Sequence, residues 1–527
     1  MSLYRVFLEE WFMNEAWWFG ATDEIDEYLK TTYGSLVDSI DAILINSQDN
    51  RDKLACILVY DQLIRHIFRG QLCAHIISYF NNKAVDMSYD LINLSNCNDF
   101  NAAEWSFILL PLRHTNVPDH VFVAINHAWK LMKSCCSDED ITRYKRFLKA
   151  SYTRFRCDQI KLVDLIQPDY EKTIVDVLSD KYTRLLQFVP DTNNYCCVHE
   201  GNEKHMVISN VENFIKKHRR SHYIISLSCG VDSSVLCFVM KILQPKYHYQ
   251  LTAVHINYGN KATNIDEEDY IKTWCSSMGI PIICRRINEI KRTPCMEYGL
   301  RDVYESYTKR VRFETYKVAS GDHMPNVLLG HNRDDTIENV ITNITYCSKY
   351  DNLTGMEKIS EQDGVYVCRP MLDVPKTEIR LFAKEAGIPH FHDSTPSWSQ
   401  RGKIRDSIIP ALSSWDARSI PGLLELSYVV KEMYGIAQVQ VQHMLSSTVG
   451  NTLTLIKEGC PNSHIIWSEY IKKQYKIVLS SKSIENLTQQ LSNMTKSHNA
   501  VKNIILSKQL SVNVKVSDIT VLLTFYV

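Results

Sequence analysis

The residues best suited to chemistry lie in one short run, SLSCGVDSS, over positions 226–234. An apolar strand pattern precedes it, and an apolar helix pattern follows, with Val235, Leu236, Phe238 and Val239. A strand, tight turn and helix in succession aim backbone N–H groups and the positive helix end at one spot, which suits phosphate. Around Cys229, Gly230 and Val231 the small side chains would let the backbone approach an anion. Ser228, Ser233 and Ser234 could add hydroxyl donors. Asp232, beside bound phosphates, would make sense as a ligand of Mg²⁺. An ordinary turn containing Ser and Asp is the plain alternative, and the strand and helix on either side argue against it.

A second constellation, VLLGHNRDDTIEN, occupies positions 327–339. A short buried strand (Val327–Gly330) is expected to run into a helix whose core face is Ile337, Val340, Ile341 and Ile344. His331, Asp335 and Glu338 fall on a different side, at the carboxyl end of that strand. In an open α/β sheet this is the edge where ligands bind. Asp334 or Asp335 could instead simply cap the helix.

The elements that must position these residues form an alternating pattern. Strands are expected at Tyr223–Ser228, Leu251–Asn257, Ile282–Arg286, Val327–Gly330 and Val365–Arg369, with helices such as Asp266–Met278 and Arg301–Ala319 between them. That alternation implies an α/β fold with a doubly wound parallel sheet over residues 206–412. Residues 1–188 have helical periodicity and form an all-α region. There one helix would bury Leu54, Ile57 and Leu58 and present Asp61, Gln62, Arg65 and Arg69 as a polar stripe. That stripe could be a binding surface or a structural polar network. Residues 189–205 are rich in breakers and read as a linker. Residues 413–527 form a small mixed α/β region, with a helix around Leu423–Met444 and strand-like runs at Tyr475–Leu479 and Asp518–Tyr526.

Bulk properties narrow the class. With 45% hydrophobic and 23% charged residues over 527 positions, the chain is a soluble globular protein of two or three domains. No apolar stretch is long enough to cross a bilayer, and the acidic, aromatic start resembles no export signal, so a cytoplasmic protein is expected. The 16 cysteines include no C-x-x-C, which favours reduced, incidental thiols over a metal site. A formal charge of -1 gives no global footprint for nucleic acid. RNA contact would need local clusters such as Lys216–Arg220, Arg285 with Arg286, Lys291 and Arg292, or Lys309 with Arg310 and Arg312, runs that also suit a solvated helix face.

The first run resembles the PP-loop, S-G-G-x-D-S, of ATP pyrophosphatases, which cleave ATP between its α and β phosphates. With no G-K-[ST], it is not a Walker A loop. The second run is similar to the H-H-x-D-D-x-x-E-T motif of tRNA(Ile)-lysidine synthetases. The resemblance to that family continues through Ala253–Gly259 (A-V-H-x-D-H-G), Lys309–Phe313 (A-R-x-x-R-Y) and Arg369–Leu372 with Lys376 (R-P-L-L…K). It ends with Asp393–Pro396 and with Arg401, Arg405 and Pro410. Departures fall at Cys229, Asn257, Tyr258, Asn332, Asn339 and Gly402. If position 229 requires a positive φ, cysteine there is disfavoured and activity could be reduced. Residues 413–527 do not align with the family's tRNA-binding modules, although such a role suits their position. The N-terminal region is similar to the domain-of-unknown-function 924 family, on Trp11–Phe19, Leu54–Gly70 and Leu109–His114, and no activity follows from that likeness.

The resemblance implies an adenine nucleotide alpha hydrolase-like fold and a tRNA-modifying ligase. In that reaction ATP adenylates the C2 oxygen of the wobble cytidine in the anticodon loop, free lysine displaces AMP, and lysidine results. ATP would be held by Ser228 to Ser234 with His255, and Asp232, Asp335 and His331 would be the catalytic residues. Lys309, Arg312, Glu338, Arg401 and Arg405 would contact tRNA, substrate or the adenylate. A different PP-loop enzyme, such as a tRNA thiolase, is the second reading, and the lack of paired cysteines counts against it. GMP synthetase shares the loop, yet the helical N-terminal region is not its glutaminase module. The third reading is a degenerate PP-loop protein that binds RNA without catalysis.

Overall fold

A computed structural model describes residues 2–19, 22–46, 49–69, 74–155, 165–178, 182, 186–188, 205–346, 351–392, 399–497 and 499–527. Its central sheet has six strands, in the order Ile282–Arg286, Gln250–Asn257, His222–Ser226, Asn326–Leu328, Val365–Cys368 and Ile359–Gln362. The first five run parallel, with Ile225 opposite Ala253 on one side and Leu328 on the other. Helices cover both faces, so the strands read as continuous apolar runs such as Tyr223, Ile224 and Ile225, all buried. This is the doubly wound sheet the alternation implies. After His222–Ser226 the next strand lies to one side and Asn326–Leu328 to the other. Their carboxyl ends therefore flank a topological switch point, where such folds bind ligands.

Strand ends move by a residue or two. The first strand stops at Ser226 rather than Ser228, since the chain turns sharply at Cys229, where φ is +64°. The fourth ends at Leu328 rather than Gly330, although Leu329 N–H still donates to the Cys368 carbonyl at 2.9 Å.

The chain divides into two compact units. One comprises Met1–Gly330, Glu361–Cys368 and Leu381–His392; the other comprises His331–Ser360, Arg369–Arg380 and Asp393–Val527. The expected linker lies outside the described residues apart from His205, and the segments before and after it belong to the same unit. Within that unit the N-terminal helices share one core with the sheet region. Phe7, Trp11, Trp105, Leu148 and Phe155 belong to it, and so do Ile287, Val303, Tyr304, Tyr307 and Val311. Arg310 adds polar support. Its guanidinium donates to the Thr153 and Phe155 carbonyls at 2.9 Å each, and it caps the helix Asp138–Arg154.

The helical register of the polar stripe is corrected, while Asp61, Gln62 and Arg65 do form a polar network, the second of its two readings. Asn50–Ile57 is α-helical, but Leu58–Leu63 is a π-helical turn before Ile64–Ile67 resumes, and the wider turn swings Asp61 and Gln62 inward. Asp61 is 1% exposed and accepts from Arg65 Nη2 at 2.9 Å and His114 Nδ1 at 2.8 Å. Arg69 lies past the helix and pairs with Asp26. Burial alone would raise the Asp61 pKa; His114 and Arg65 outweigh it and hold it at about 2. The folded value lies below the unfolded one, so the stability it confers is present above pH 4 and lost as pH falls towards 2. From the shift, this amounts to roughly 2 kcal/mol. Acid titration of unfolding should show that loss in the wild type, and Asp61→Asn should be less stable at pH 6 but close to wild type near pH 2.

In the second unit, Ile337 and Ile341 pack with Ile404, Leu412 and Leu423, as the helical periodicity implies. Ile344, expected on the same face, sits in the last turn and is exposed. The helix expected around Leu423–Met444 runs from Ser419 to Ser446. The C-terminal residues form a five-stranded antiparallel sheet in the order Val501–Ile505, Ser511–Val516, Thr520–Tyr526, Thr452–Ile456, Thr448–Val449. Val521, Leu523 and Phe525 alternate inward against the helices His464–Tyr475 and Ser481–Met494. Tyr475–Leu479 is not a strand. Tyr475 ends a helix, Lys476 terminates it with φ +60°, and Ile477 and Leu479 pack on the core without a ladder partner.

Candidate functional site

The loop between His222–Ser226 and the helix Val231–Tyr247 has the strand–turn–helix geometry expected of a phosphate site. Ser233 organises its interior: its hydroxyl donates to the Gly230 carbonyl at 3.0 Å, and it accepts from Ser228 N–H at 3.1 Å. Ser234 is fully buried, and its hydroxyl has no hydrogen-bond partner among the described residues. A buried, unsatisfied donor at the start of a helix is unfavourable unless something accepts from it. Asp232 stands in the first turn, where a carboxylate is favoured by the helix end.

Neighbouring elements fix the loop from three sides. His255, buried, donates through Nδ1 to the Leu227 carbonyl at 2.9 Å, so its ring holds the loop backbone. Burial lowers the His255 pKa, which keeps the ring neutral. Phe391 N–H donates to the Cys229 carbonyl at 2.9 Å. Gly330, after the neighbouring strand, lies so close that a Cβ there would sit 2.9 Å from both Asp232 C and Ser233 N. The close approach of Gly330 to the loop is absent from any spacing argument, because it depends on which strand neighbours which.

Cys229 does adopt a positive φ, +64°. Its thiol is buried against the Glu267 carbonyl, and burial raises its pKa well above the ordinary value. The position therefore carries left-handed strain of about 1 kcal/mol that glycine would relieve, while glycine would also empty a small buried space. Cys229→Gly should change thermal stability by less than about 1 kcal/mol and raise nucleotide turnover severalfold. A fall in turnover would show that the thiol is needed.

In the second unit, Asn332 caps the helix Arg333–Thr345, and the Asp335 carboxylate accepts from Asn332 N–H at 3.0 Å, completing a capping box. Asp334 accepts from Lys376 N–H at 2.8 Å. The capping alternative is thus realised for Asp335, yet Asp335 also faces Arg401 at 3.7 Å. Glu338, 1% exposed, binds Arg405 Nη2 at 2.8 Å and lies 3.3 Å from Arg401 Nε. Burial pushes the Glu338 pKa up, against the pull of both arginines. His331 Nδ1 accepts from Arg369 Nε at 3.1 Å. Arginine only donates, so the ring proton is assigned to Nε2 and His331 can serve as a neutral donor.

Other expected contacts are dispersed. Lys309 pairs with Asp363 at 3.1 Å, and Arg312 lies over Phe313. Arg285 is buried against Glu289, and Arg286 binds the buried Glu268 at 2.7 Å. Arg285 and Arg286 are therefore held by buried carboxylates of the fold. The motif at 393–396 lies outside the described residues. A cleft of about 540 Å³ opens beside Arg333, Thr336, Met356, Tyr428 and Lys431, a flank of the helix that the motif residues did not single out. Among the described residues no group of three His, Cys, Asp or Glu side chains is placed to hold a metal. No helix among them is long and apolar enough to cross a membrane.

The sequence is similar to known proteins over two stretches. Residues 203–412 match the family model described as PP-loop domain, and residues 7–161 match the model described as bacterial protein of unknown function (DUF924). A tRNA(Ile)-lysidine synthase of Staphylococcus aureus (strain COL) is 26% identical over 240 residues, covering 44% of this chain and 53% of that protein. One from Chlamydia abortus is 25% identical over 258 residues, covering 48% and 74%. The chain spans about half the length of the staphylococcal relatives it matches. Among solved structures, the U34-tRNA thiolase NcsA from Methanococcus maripaludis is similar at 18% identity, with a TM-score of 0.33 over 44% of this chain and 81% of that one.

Proposed function

We propose that this chain, whose PP-loop domain spans residues 203–412, is a tRNA(Ile)-lysidine synthetase-like ligase of the cytoplasm. ATP adenylates the C2 oxygen of the wobble cytidine and pyrophosphate leaves. The side-chain amine of free lysine then attacks C2, AMP departs, and lysidine remains. The observation that carries this reading is the loop 228–234, held between Gly330 and His255, with the unsatisfied Ser234 hydroxyl inside it.

Ser228, Ser233, Ser234 and the N–H groups of Cys229, Gly230 and Val231 would bind the ATP phosphates, with His255 acting through the backbone it supports. Asp232 would hold Mg²⁺, for one carboxylate with phosphate oxygens suits that ion. Mg²⁺ when bound would neutralise charge building on pyrophosphate. His331 would donate through Nε2 to a phosphoryl oxygen. Asp335 would orient or deprotonate the lysine amine, of which about one in a few thousand is neutral at pH 7. Arg401, Arg405 and Glu338 form one charged array that would position the adenylate or substrate, and Lys309 and Arg312 would contact the tRNA backbone.

Two measurements test this. Nucleosides from tRNA incubated with the protein, ATP and isotopically labelled lysine should contain labelled lysidine by mass spectrometry; unmodified cytidine alone would reject the assignment. Asp335→Asn keeps the acceptor of the capping box, whereas Asp335→Ala would also cost about 1 kcal/mol of cap. The Asn variant should bind ATP normally and lose AMP transfer by about 10²–10³; unchanged turnover would remove Asp335 from catalysis. The strain at Cys229 favours one second reading, a catalytically weakened protein that binds nucleotide and RNA. Nucleotide affinity with no exchange of pyrophosphate into ATP would establish it.

A further inference from the structure

Among the described residues of the N-terminal helices, the buried Arg113 guanidinium has no ion-pair partner. Arg113, in the last turn of Ala102–His114, is 8% exposed with its Nε fully buried and unpaired. Among the described residues it makes no hydrogen bond and no ion pair; its contact is the face of Phe147, 5.1 Å away. Its surroundings add positive charge. Arg154, two turns along the helix from Phe147, and Arg65 both oppose it. Burial, and then Arg154, lower the Arg113 pKa to about 10.

The carboxylate that acts on Arg113, Asp61, is already occupied. It accepts from Arg65 Nε and Nη2, from His114 Nδ1 and from Gln62 Nε2. Arg65 extends further, to the Asn81 carbonyl oxygen at 3.0 Å, and Asn81 in turn donates to the Pro111 carbonyl. The Asp61 carboxylate is thus matched from within, whereas the Arg113 guanidinium is not. A buried charge without its partner is strongly unfavourable, and a planar guanidinium is best matched by an oxyanion bound through two N–H groups. The π-helical turn at Leu58–Leu63 is the kind of distortion that recurs at ligand sites, and it aims Asp61 and Arg65 into this region. Arg65 is 32% exposed in its side chain and Arg154 is exposed, so both reach solvent.

We propose that Arg113, flanked by Arg65 and Arg154, binds a small oxyanion, the phosphate or carboxylate group of a small molecule, in the helical N-terminal region. The depth of Arg113 argues for a small molecule over a nucleic-acid backbone, whose phosphates cannot leave the chain to reach it. The site is independent of the nucleotide loop.

Hydrogen exchange of the full chain, read by mass spectrometry, tests it with three probes: inorganic phosphate, citrate and a single-stranded RNA oligonucleotide. Phosphate or citrate should slow exchange severalfold in peptides covering 107–115 and 147–155, and the more effective of the two identifies the oxyanion. Arg113→Met should abolish that protection. Arg154→Gln, a surface change, should raise the half-saturating concentration by roughly tenfold and decides the matter if the first variant fails to fold. Slowing confined to 226–234 would reflect the nucleotide loop alone and would overturn the proposal. So would protection by RNA only, or protection unchanged in both variants.

Discussion

Gly330→Ala should weaken ATP binding by between about tenfold and a hundredfold. A Cβ at this position would lie 2.9 Å from Asp232 C and Ser233 N and 3.1 Å from Asp232 Cβ. All three atoms belong to the first turn of the loop helix, and two are backbone, so no side chain can rotate away. Relief requires shifting the loop, held by His255 and Phe391, or the strand end at Leu328, held in the sheet. Overpacking of this sort costs about 1–3 kcal/mol, and it falls on the backbone N–H groups that would face the phosphates. Calorimetric titration with ATP measures the effect, and circular dichroism should show the helices intact. Undiminished affinity would mean that the first turn of Val231–Tyr247 does not hold the nucleotide.

Asp232→Asn should lower ATP–pyrophosphate exchange by about 10²–10³, the scale of losing one electrostatic contact to developing charge. The change preserves shape, and loss of a helix-end carboxylate costs only about 0.3–1 kcal/mol, so folding is not the cause. The defect should deepen at low Mg²⁺ and be partly recovered at high Mg²⁺. Exchange at the wild-type rate, or a defect indifferent to Mg²⁺, would take Asp232 out of the metal role.

What could be read from residues alone follows physical lines. The parallel sheet and loop were legible because buried strands and amphipathic helices leave periodic signatures, and the Ser- and Gly-rich turn sits between two of them. The inward turn of Asp61 was not, because a single π-helical turn shifts every later residue without altering composition. Tyr475–Leu479 alternates like a strand but finds no partner, since ladder formation is decided by distant residues. The roles of Arg285, Arg286 and Arg310 were hidden for the same reason. A basic run looks alike whether it faces solvent, a buried carboxylate or the end of another helix. Asp335 was legible as a cap, and that use is present, whereas its approach to Arg401 was hidden because it depends on how distant segments pack.

The common interior of the N-terminal helices and the sheet region bears on how such a protein can be taken apart. Trimming away residues 1–155 would strip the cover from Val303, Tyr307 and Val311 and leave the Arg310 fork with nothing to hold. The nucleotide-handling half is therefore not a portable cassette. Whatever seats itself in or loosens the helical half must be felt along Arg301–Ser320, a rod that also reaches the central strand through the Tyr316 hydroxyl on Ser226.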